Sequence, residues 1–392
     1  MPNENKPTFT GLILVSGEDR PGITQRLMSV LAEFSVSILD IEQLVIRERL
    51  ILTVLISLNE SHADAIANDL QALEVELQLD IAIDFADHQQ TNSTASNLHV
   101  VIIADHLRPL AVSVVASELA KIGANITAIR RTATQPVMAI EIDLTAPGRT
   151  IKEVQRLLAA VAIANKIDLA VEQGGGIRNA KRVVMLDMDS TLIQQEVIDL
   201  LAKHANVQEQ VSSITDKAMK GEMDFAQSLR ERVALLSGLS ESVLEKVRNE
   251  IQLTTGAEKL IQTLHAKGHK VGVVSGGFLD VIEPILLDLK IDFYRANKLQ
   301  IIDGKLTGRV EGEIIDRAAK LNSLVEFAKI EEVQIAQTVA VGDGANDLDM
   351  IEAAGLGIAF NAKPKVAAAA ATTINSSDLS AVLLLMGAQT NF

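Results

Sequence analysis

Asp187 and Asp189 stand two apart after the apolar run Val183-Val184-Met185-Leu186. That run has the length and character of one buried parallel strand. Residues two apart on a strand share a face, so both carboxylates are expected on one side at its carboxyl end. Open α/β sheets bind ligands at that end. Carboxylates so close repel unless a cation or a shared proton lies between them, and a hard, oxygen-seeking ion such as Mg²⁺ suits them. An aspartate so placed can attack phosphorus and form an aspartyl-phosphate. Its neighbour can protonate the leaving oxygen and then take a proton from water. An acidic, solvated turn after a strand is the plainer account of the same residues.

Other stretches must reach the same edge for this chemistry to work. Lys270-Val271-Gly272-Val273-Val274 reads as a second buried strand and ends in Ser275-Gly276-Gly277-Phe278. The Ser275 hydroxyl and the N–H groups of Gly276 and Gly277 could turn toward a phosphate. A glycine turn into a helix would explain the tetrapeptide equally well. Val339-Ala340-Val341 reads as a third strand, followed by Gly342-Asp343-Gly344-Ala345-Asn346-Asp347. Its glycines permit a tight loop that returns acids to the sheet edge. The spacing is not that of an EF-hand, and no late bidentate glutamate follows. Four helical stretches lie between the first two strands and carry Glu196 and Arg232, while Lys320 opens a later helix. On their own, most such helix charges are solvated.

Asp187-Met188-Asp189-Ser190-Thr191 resembles the first signature of the haloacid dehalogenase superfamily phosphatases, Asp-x-Asp-x-Thr. Ser275, Lys320 and the Gly342–Asp347 loop follow in the order of the remaining signatures. Residues 181 to 385 resemble the phosphoserine phosphatases of that superfamily. The resemblance implies a Rossmannoid parallel sheet with a small helical cap at about 193–255. It makes Asp187 the nucleophile and Asp189 the acid and base. It assigns Mg²⁺ to Asp187, Asp189 (through its carbonyl) and Asp343. Asp347 would hold the metal shell or Lys320, with Asn346 as support. Ser275, Lys320 and the Gly276 N–H would hold the phosphoryl oxygens. Glu196 would face the substrate ammonium and Arg232 its carboxylate, with Met219 and Phe225 lining the pocket. The implied reaction is hydrolysis of O-phosphoserine to serine and phosphate, the last step of serine biosynthesis. The hairpin expected at 297–307, turning at Asp303-Gly304, is given no chemistry.

The residues ahead of this part read twice as βαββαβ, the ferredoxin-like order, which suggests an internal duplication. The expected divisions are 1–88, 95–173 and 174–392, with Gln173-Gly174-Gly175-Gly176 as a joint. Both small units resemble ACT domains, regulatory modules that bind amino acids. In the first, Asp19-Arg20-Pro21-Gly22-Ile23 matches the strand-to-helix turn, and Gly22 would admit a ligand carboxylate at a helix N-terminus. Asp40, in the next strand, would help hold an amine. In the second unit, Leu110 is expected where the first has Gly22, and Ala128 where it has Asp40. Both changes weigh against a ligand there. The resemblance implies an amino-acid effector, serine, at Asp19, Gly22 and Asp40, and a homodimer.

Composition narrows the classes. The 392 residues are 48% hydrophobic and 22% charged, as in globular proteins, and too many for one core. A net charge of −15 argues against a basic nucleic-acid-binding surface. The absence of cysteine removes disulfides, thiolate catalysis and cysteine zinc sites. The polar start Met1–Lys6 shows no signal-peptide pattern and no run reaches membrane-spanning length, so a cytoplasmic protein without membrane partners is expected. Two rival readings stand beside the phosphatase. One is a phosphotransferase with the same core and homoserine as acceptor. The other is an amino-acid-binding regulator whose catalytic half is vestigial.

Overall fold

The computed structural model describes residues 8–88, 97–104, 106–133, 137–165, 167–174, 180, 182–219 and 222–388, with backbone only at 8, 88, 97 and 219. The chain folds as two compact units, Met1–Ser93 and Thr94–Phe392.

The first unit runs β1 (Thr8–Glu18), α1 (Ile23–Leu31), β2 (Ser37–Ile46), β3 (Arg49–Ser57), α2 (Ala63–Leu77) and β4 (Asp80–His88). Its antiparallel sheet has the order β2-β3-β1-β4. Ile23, Leu27 and Leu31 recur every fourth residue, so α1 presents one apolar stripe. Ile66, Leu70 and Leu73, spaced by four and then three, form a like stripe on α2. Both stripes pack on the inward alternation Ile13, Val15, Leu50, Leu52, Val54 and Ile56. Each such side chain contributes about 1.5–3 kcal/mol relative to exposure. Gly22 starts α1 at φ 98°, a conformation that favours glycine.

The second unit opens with the same plan: β5 (Asn97–Ala104), α3 (Pro109–Lys121), β6 (Asn125–Ala133), β7 (Met138–Thr145), α4 (Ile151–Asn165) and β8 (Asp168–Gln173). Its sheet order is β6-β7-β5-β8. Both repeats carry a bulge at the same place, after Ile38 in β2 and after Ile126 in β6. Asp40 and Ala128 are the next paired residues, so they occupy equivalent positions, as the sequence implies. The helix starts differ from expectation. The residue in front of α1 is Gly22, but the residue in front of α3 is Arg108, and Leu110 lies in the helix's first turn. Pro109 fixes a helical φ and takes the first helical position, which pulls Leu110 into the helix. Asp105 lies outside the described residues.

The open faces of the two small sheets fare differently. In the second, Val101, Ile103, Ala139 and Ala170 join one core cluster with Leu383, Leu384 and Leu385 near the C-terminus. By register, Leu14 and Ile51 of the first sheet stand where Val101 and Ala139 stand in the second, and both are exposed. A buried ion pair, Arg182 Nη1 to Glu172 Oε1 at 2.6 Å, ties β8 to the strand that follows it. Asp168 at the start of β8 accepts from the backbone N–H and side chain of Asn375.

The rest of the second unit is built on a seven-stranded sheet. It runs β9 (Val183–Leu186), α5 (Val197–Ala205), α6 (Gln208–Met219), α7 (Phe225–Ala234), α8 (Ser242–Glu250), α9 (Ala257–Ala266), β10 (Lys270–Phe278) and α10 (Leu279–Asp288). There follow β11 (Phe293–Ile302), β12 (Lys305–Glu311), α11 (Arg317–Ile330), β13 (Thr338–Gly342), α12 (Leu348–Ala353), β14 (Leu356–Phe360), α13 (Pro364–Ala369), β15 (Thr373–Ile374) and α14 (Ala381–Leu385). The strand order is β12-β11-β10-β9-β13-β14-β15. All neighbours are parallel except the hairpin β11–β12. That hairpin turns at Asp303 and Gly304, both at positive φ, the geometry of a type I′ turn. The central strand β9 leads into the helices α5 to α8, while β10 and β13 flank it. The carboxyl ends of three strands therefore meet at one switch point. Among the described residues, no helix is long and apolar enough to cross a membrane.

Candidate active site

The two aspartates lie beyond the end of the strand and do not share its alternation. The β9 ladder ends at Leu186, and Asp187 donates its N–H to Val341 O at 2.9 Å. Met188–Leu192 then form one wide turn, in which Ser190 takes a left-handed backbone, φ 56° and ψ 5°. Asp189, at φ −66° and ψ 133° within this turn, therefore faces other partners than Asp187 does. The Ser275-Gly276-Gly277 segment also differs from a simple turn. It stays within β10, but the ladder with β11 skips from Val274 to Phe278. The skipped residues are thus free to face the site.

Three buried carboxylates, Asp187, Asp343 and Asp347, each bring an oxygen within 4.8 Å of the others. Lys320, fully buried, reaches them from α11: its Nζ lies 2.7 Å from Asp187 Oδ1 and 2.6 Å from Asp347 Oδ1. Asp187 Oδ1 also accepts the Met188 N–H at 2.7 Å. Thr191 Oγ1 donates to Asp343 Oδ1 at 3.0 Å, and the Gly344 N–H to Asp347 Oδ2 at 3.0 Å. A Cβ on Gly342 would strike the Asp347 side chain, which explains the glycine there. Burial raises Asp187 well above the usual carboxylate range, with Asp347 and Asp343 adding to the rise and Lys320 opposing it. Burial and then Asp347 push Asp343 up to about 6. Burial works against the Lys320 charge, but Asp187 and Asp347 more than offset it, so its pKa rises and the ammonium is retained.

Three carboxylates against one ammonium leave an excess of negative charge in a closed site. The donors are all hard oxygens on rigid elements, with Asp343 held by Thr191. This set fits a divalent cation, whose charge would offset the repulsion that adds to the effect of burial on these pKa values.

Asp189 points elsewhere. Its Oδ1 accepts the Val197 N–H at 2.8 Å, and its Oδ2 accepts from Ser275 Oγ at 3.1 Å. Ser275 Oγ in turn accepts the Gly277 N–H at 2.8 Å. Burial, followed by the charge of Glu196, pushes Asp189 up to about 7. A Cβ on Gly277 would stand 2.6 Å from Asp189 Oδ2, so only glycine lets the strand pass this close.

The remaining expected residues surround this centre from the helices α5 to α7. Phe225, at the start of α7, lies over Gly276: a Cβ there would be 2.8 Å from the ring. Arg232, on the same helix, is half-buried and donates its Nε–H to Ser228 O at 3.3 Å. Burial lowers its pKa, opposed by the charges of Glu196, Asp199 and Asp189, so these acids surround the guanidinium. Glu196 immediately precedes α5 and accepts from Ser190 Oγ at 2.8 Å. Asn346 folds over Gly344 in the acidic loop. The Met219 side chain lies outside the described residues. In the first unit, Asp19 and Gly22 are exposed at the start of α1, and Asp40 is exposed on β2, its Oδ1 accepting the Ile41 N–H at 2.9 Å.

The sequence reading missed Asn297. It is buried on β11, donates to Gly276 O at 2.8 Å and accepts the Ile315 N–H at 2.8 Å. It braces the loop that presents Gly276 and so gives the hairpin a task. The available signal was a lone amide in an apolar strand, since a buried amide must find partners.

Comparison with known proteins agrees with this geometry. Residues 184–352 match the haloacid dehalogenase-like hydrolase model, and residues 10–84 and 96–172 each match an ACT domain model. A phosphoserine phosphatase from Streptomyces coelicolor is 45% identical over 384 residues, covering 96% of this chain and 92% of that protein. Two solved structures share 46% identity over 52% of this chain and 97% of theirs, each with a TM-score of 0.50. One is a substrate-bound phosphoserine phosphatase complex and the other a phospho-aspartyl intermediate analogue of phosphoserine phosphatase. The fold and the acidic switch point are those of a haloacid dehalogenase-like hydrolase preceded by two ACT domains. Within that class, the chain belongs to the phosphoserine phosphatase family.

Proposed function

We propose that this chain hydrolyses O-phosphoserine to serine and phosphate through an aspartyl-phosphate on Asp187. The observation that carries the reading is the convergence of Asp187, Asp189, Ser275, Lys320 and Asp343 at the ends of adjacent strands, with Arg232 and Glu196 above them. Asp187 Oδ1 is committed to Lys320 and the Met188 N–H, which leaves Oδ2 to attack phosphorus. The bond from phosphorus to the serine oxygen breaks as Asp189 delivers its proton to that oxygen. A carboxyl pushed up to about 7 holds a proton near neutral pH, as a general acid must. Asp189 then takes a proton from water, which attacks phosphorus and frees Asp187 and phosphate. Lys320, Ser275 and the Gly276 N–H receive the charge that develops on the phosphoryl oxygens.

Mg²⁺ would be held by Asp187, Asp343 and the Asp189 carbonyl, with Asp347 behind them, and when bound it supplies the charge that quiets the nucleophile–phosphate repulsion. Arg232 offers a fork to the substrate carboxylate and Glu196 a partner to its ammonium. Met219 and Phe225 line the same pocket. The helices between 193 and 255 act as a cap that excludes water.

The setting we favour is a cytoplasmic enzyme of serine biosynthesis, in which residues 1–88 and 95–173 regulate residues 174–392. The exposed apolar face around Leu14 and Ile51 supports a homodimer through the first ACT domain. The open space beside Gly22 supports an amino-acid effector there, serine, together with Asp19 and Asp40. A melting temperature and kinetics unmoved by serine would remove the effector, and a monomer by light scattering would remove the dimer.

The experiment for the main reading is phosphate release from a panel of phosphorylated metabolites, with and without Mg²⁺. A Mg²⁺-dependent preference for O-phosphoserine is expected. Release from other esters but not phosphoserine would overturn the roles of Glu196 and Arg232.

A further inference from the structure

The turn between the two chemical halves of the site carries a hydroxyl that the reaction itself does not use. Ser190 lies between Asp189 and Thr191, and both neighbours are committed. Asp189 is pinned by the Val197 N–H and Ser275, and Thr191 by Asp343. The Ser190 backbone is therefore fixed in the left-handed region, with its N–H donated to Gln195 O at 3.3 Å. Its Oγ donates to Glu196 Oε1 at 2.8 Å. Glu196 is exposed, and its side chain caps nothing at the start of α5. Its backbone is also held, the carbonyl accepting from the Asp199 and Leu200 N–H groups at 3.1 and 3.3 Å. An exposed glutamate otherwise samples several rotamers, and freezing it costs up to about 2 kcal/mol.

We propose that Ser190 is a positioning residue for substrate selection: its hydroxyl holds the Glu196 carboxylate in one rotamer, leaving Oε2 to meet the ammonium of the substrate. The inference rests on the reading of Glu196 as the ammonium-binding group. It also accounts for the residue type. A left-handed backbone disfavours β-branched side chains, so serine is the hydroxyl residue that fits there. Selection is thereby coupled to catalysis, because the turn that sets Ser190 is the one that places Asp189.

The test compares O-phosphoserine with 3-phosphonooxypropanoate, which keeps the carboxylate and the primary phosphate ester but lacks the amine. Wild type, Ser190→Gly, Glu196→Gln and the double variant are assayed with Mg²⁺ present. Glycine keeps the left-handed backbone and removes the hydroxymethyl group that reaches Glu196. Ser190→Gly is expected to raise KM for phosphoserine about tenfold, the order expected for one hydrogen bond to a charged group. Its effect on 3-phosphonooxypropanoate is expected to be under about threefold, and Ser190→Gly is expected to add little in the Glu196→Gln background. Equal losses on both esters, or independent losses in the double variant, would overturn the positioning role. If Glu196→Gln discriminates between the esters and Ser190→Gly does not, the positioning role alone falls. If Glu196→Gln itself fails to discriminate, the ammonium reading falls and this inference with it.

Discussion

Replacing Lys320 by methionine isolates the electrostatic core of the site. Methionine keeps most of the buried length and removes one positive charge that lies 2.7 Å from Asp187 and 2.6 Å from Asp347. Removing one partner of a buried ion pair costs about 3–5 kcal/mol, because the other charge stays buried alone. At about 2–4 °C per kcal/mol for a domain of this class, the melting temperature in chelator should fall by roughly 6–20 °C. The sign of the pH dependence follows from the same groups. Burial and mutual repulsion hold Asp187 above its ordinary value, Asp343 at about 6 and Asp189 at about 7, against about 3.9 in the unfolded chain. The folded state thus keeps protons that the unfolded chain has lost. The stability these groups contribute is present below about pH 4 and is lost as pH rises toward 7. Lys320→Met should steepen that loss, since it removes the charge that opposes the rise at Asp187. Mg²⁺ should restore much of the melting temperature in both proteins, and more in the variant. Differential scanning calorimetry from pH 4 to 8, with chelator and then with Mg²⁺, reads all of this. A fall of less than about 2 °C, or one insensitive to pH and Mg²⁺, would refute the reasoning.

Two further outcomes follow from the geometry. Arg232→Ala should reduce kcat/KM for phosphoserine by tenfold or more beyond its effect on an aryl phosphate without a carboxylate, the margin of a lost charged hydrogen bond. Equal losses would make Arg232 structural. Arg182→Leu should lower stability by about 3–5 kcal/mol by removing one side of a buried ion pair, while adding Glu172→Leu should recover most of it, as measured by thermal melts. A double variant as unstable as the single one would show that the pair is not the source of the loss.

Much of the fold was legible because its elements are strongly periodic. The three-to-four-residue recurrence on α1 and α2 and the apolar runs of β9, β10 and β13 each point to one element type. The repeated βαββαβ order followed from the same periods. The turn at 188–192 was not legible. Nothing in Asp-Met-Asp-Ser-Thr announces a left-handed serine, since that conformation is imposed by Gln195, Val197 and Asp343, partners outside the pentapeptide. The start of α3 failed for a related reason: aligning Pro21 with Pro109 ignored that one precedes its helix and the other begins it. Asn297 was hidden because its partners, Gly276 and Ile315, lie on other segments. Residue type signals local structure well, but tertiary partners are set by the fold.

The central claim is that Asp187 carries the phosphoryl group. The most direct measurement is a single turnover with radiolabelled O-phosphoserine and Mg²⁺, quenched in acid, followed by mapping of protein-bound label. The account predicts transient label on the peptide that contains Asp187, released by hydroxylamine as an acyl phosphate is, and none in Asp187→Asn. Full-rate phosphate release with no label on the protein at any time would contradict it.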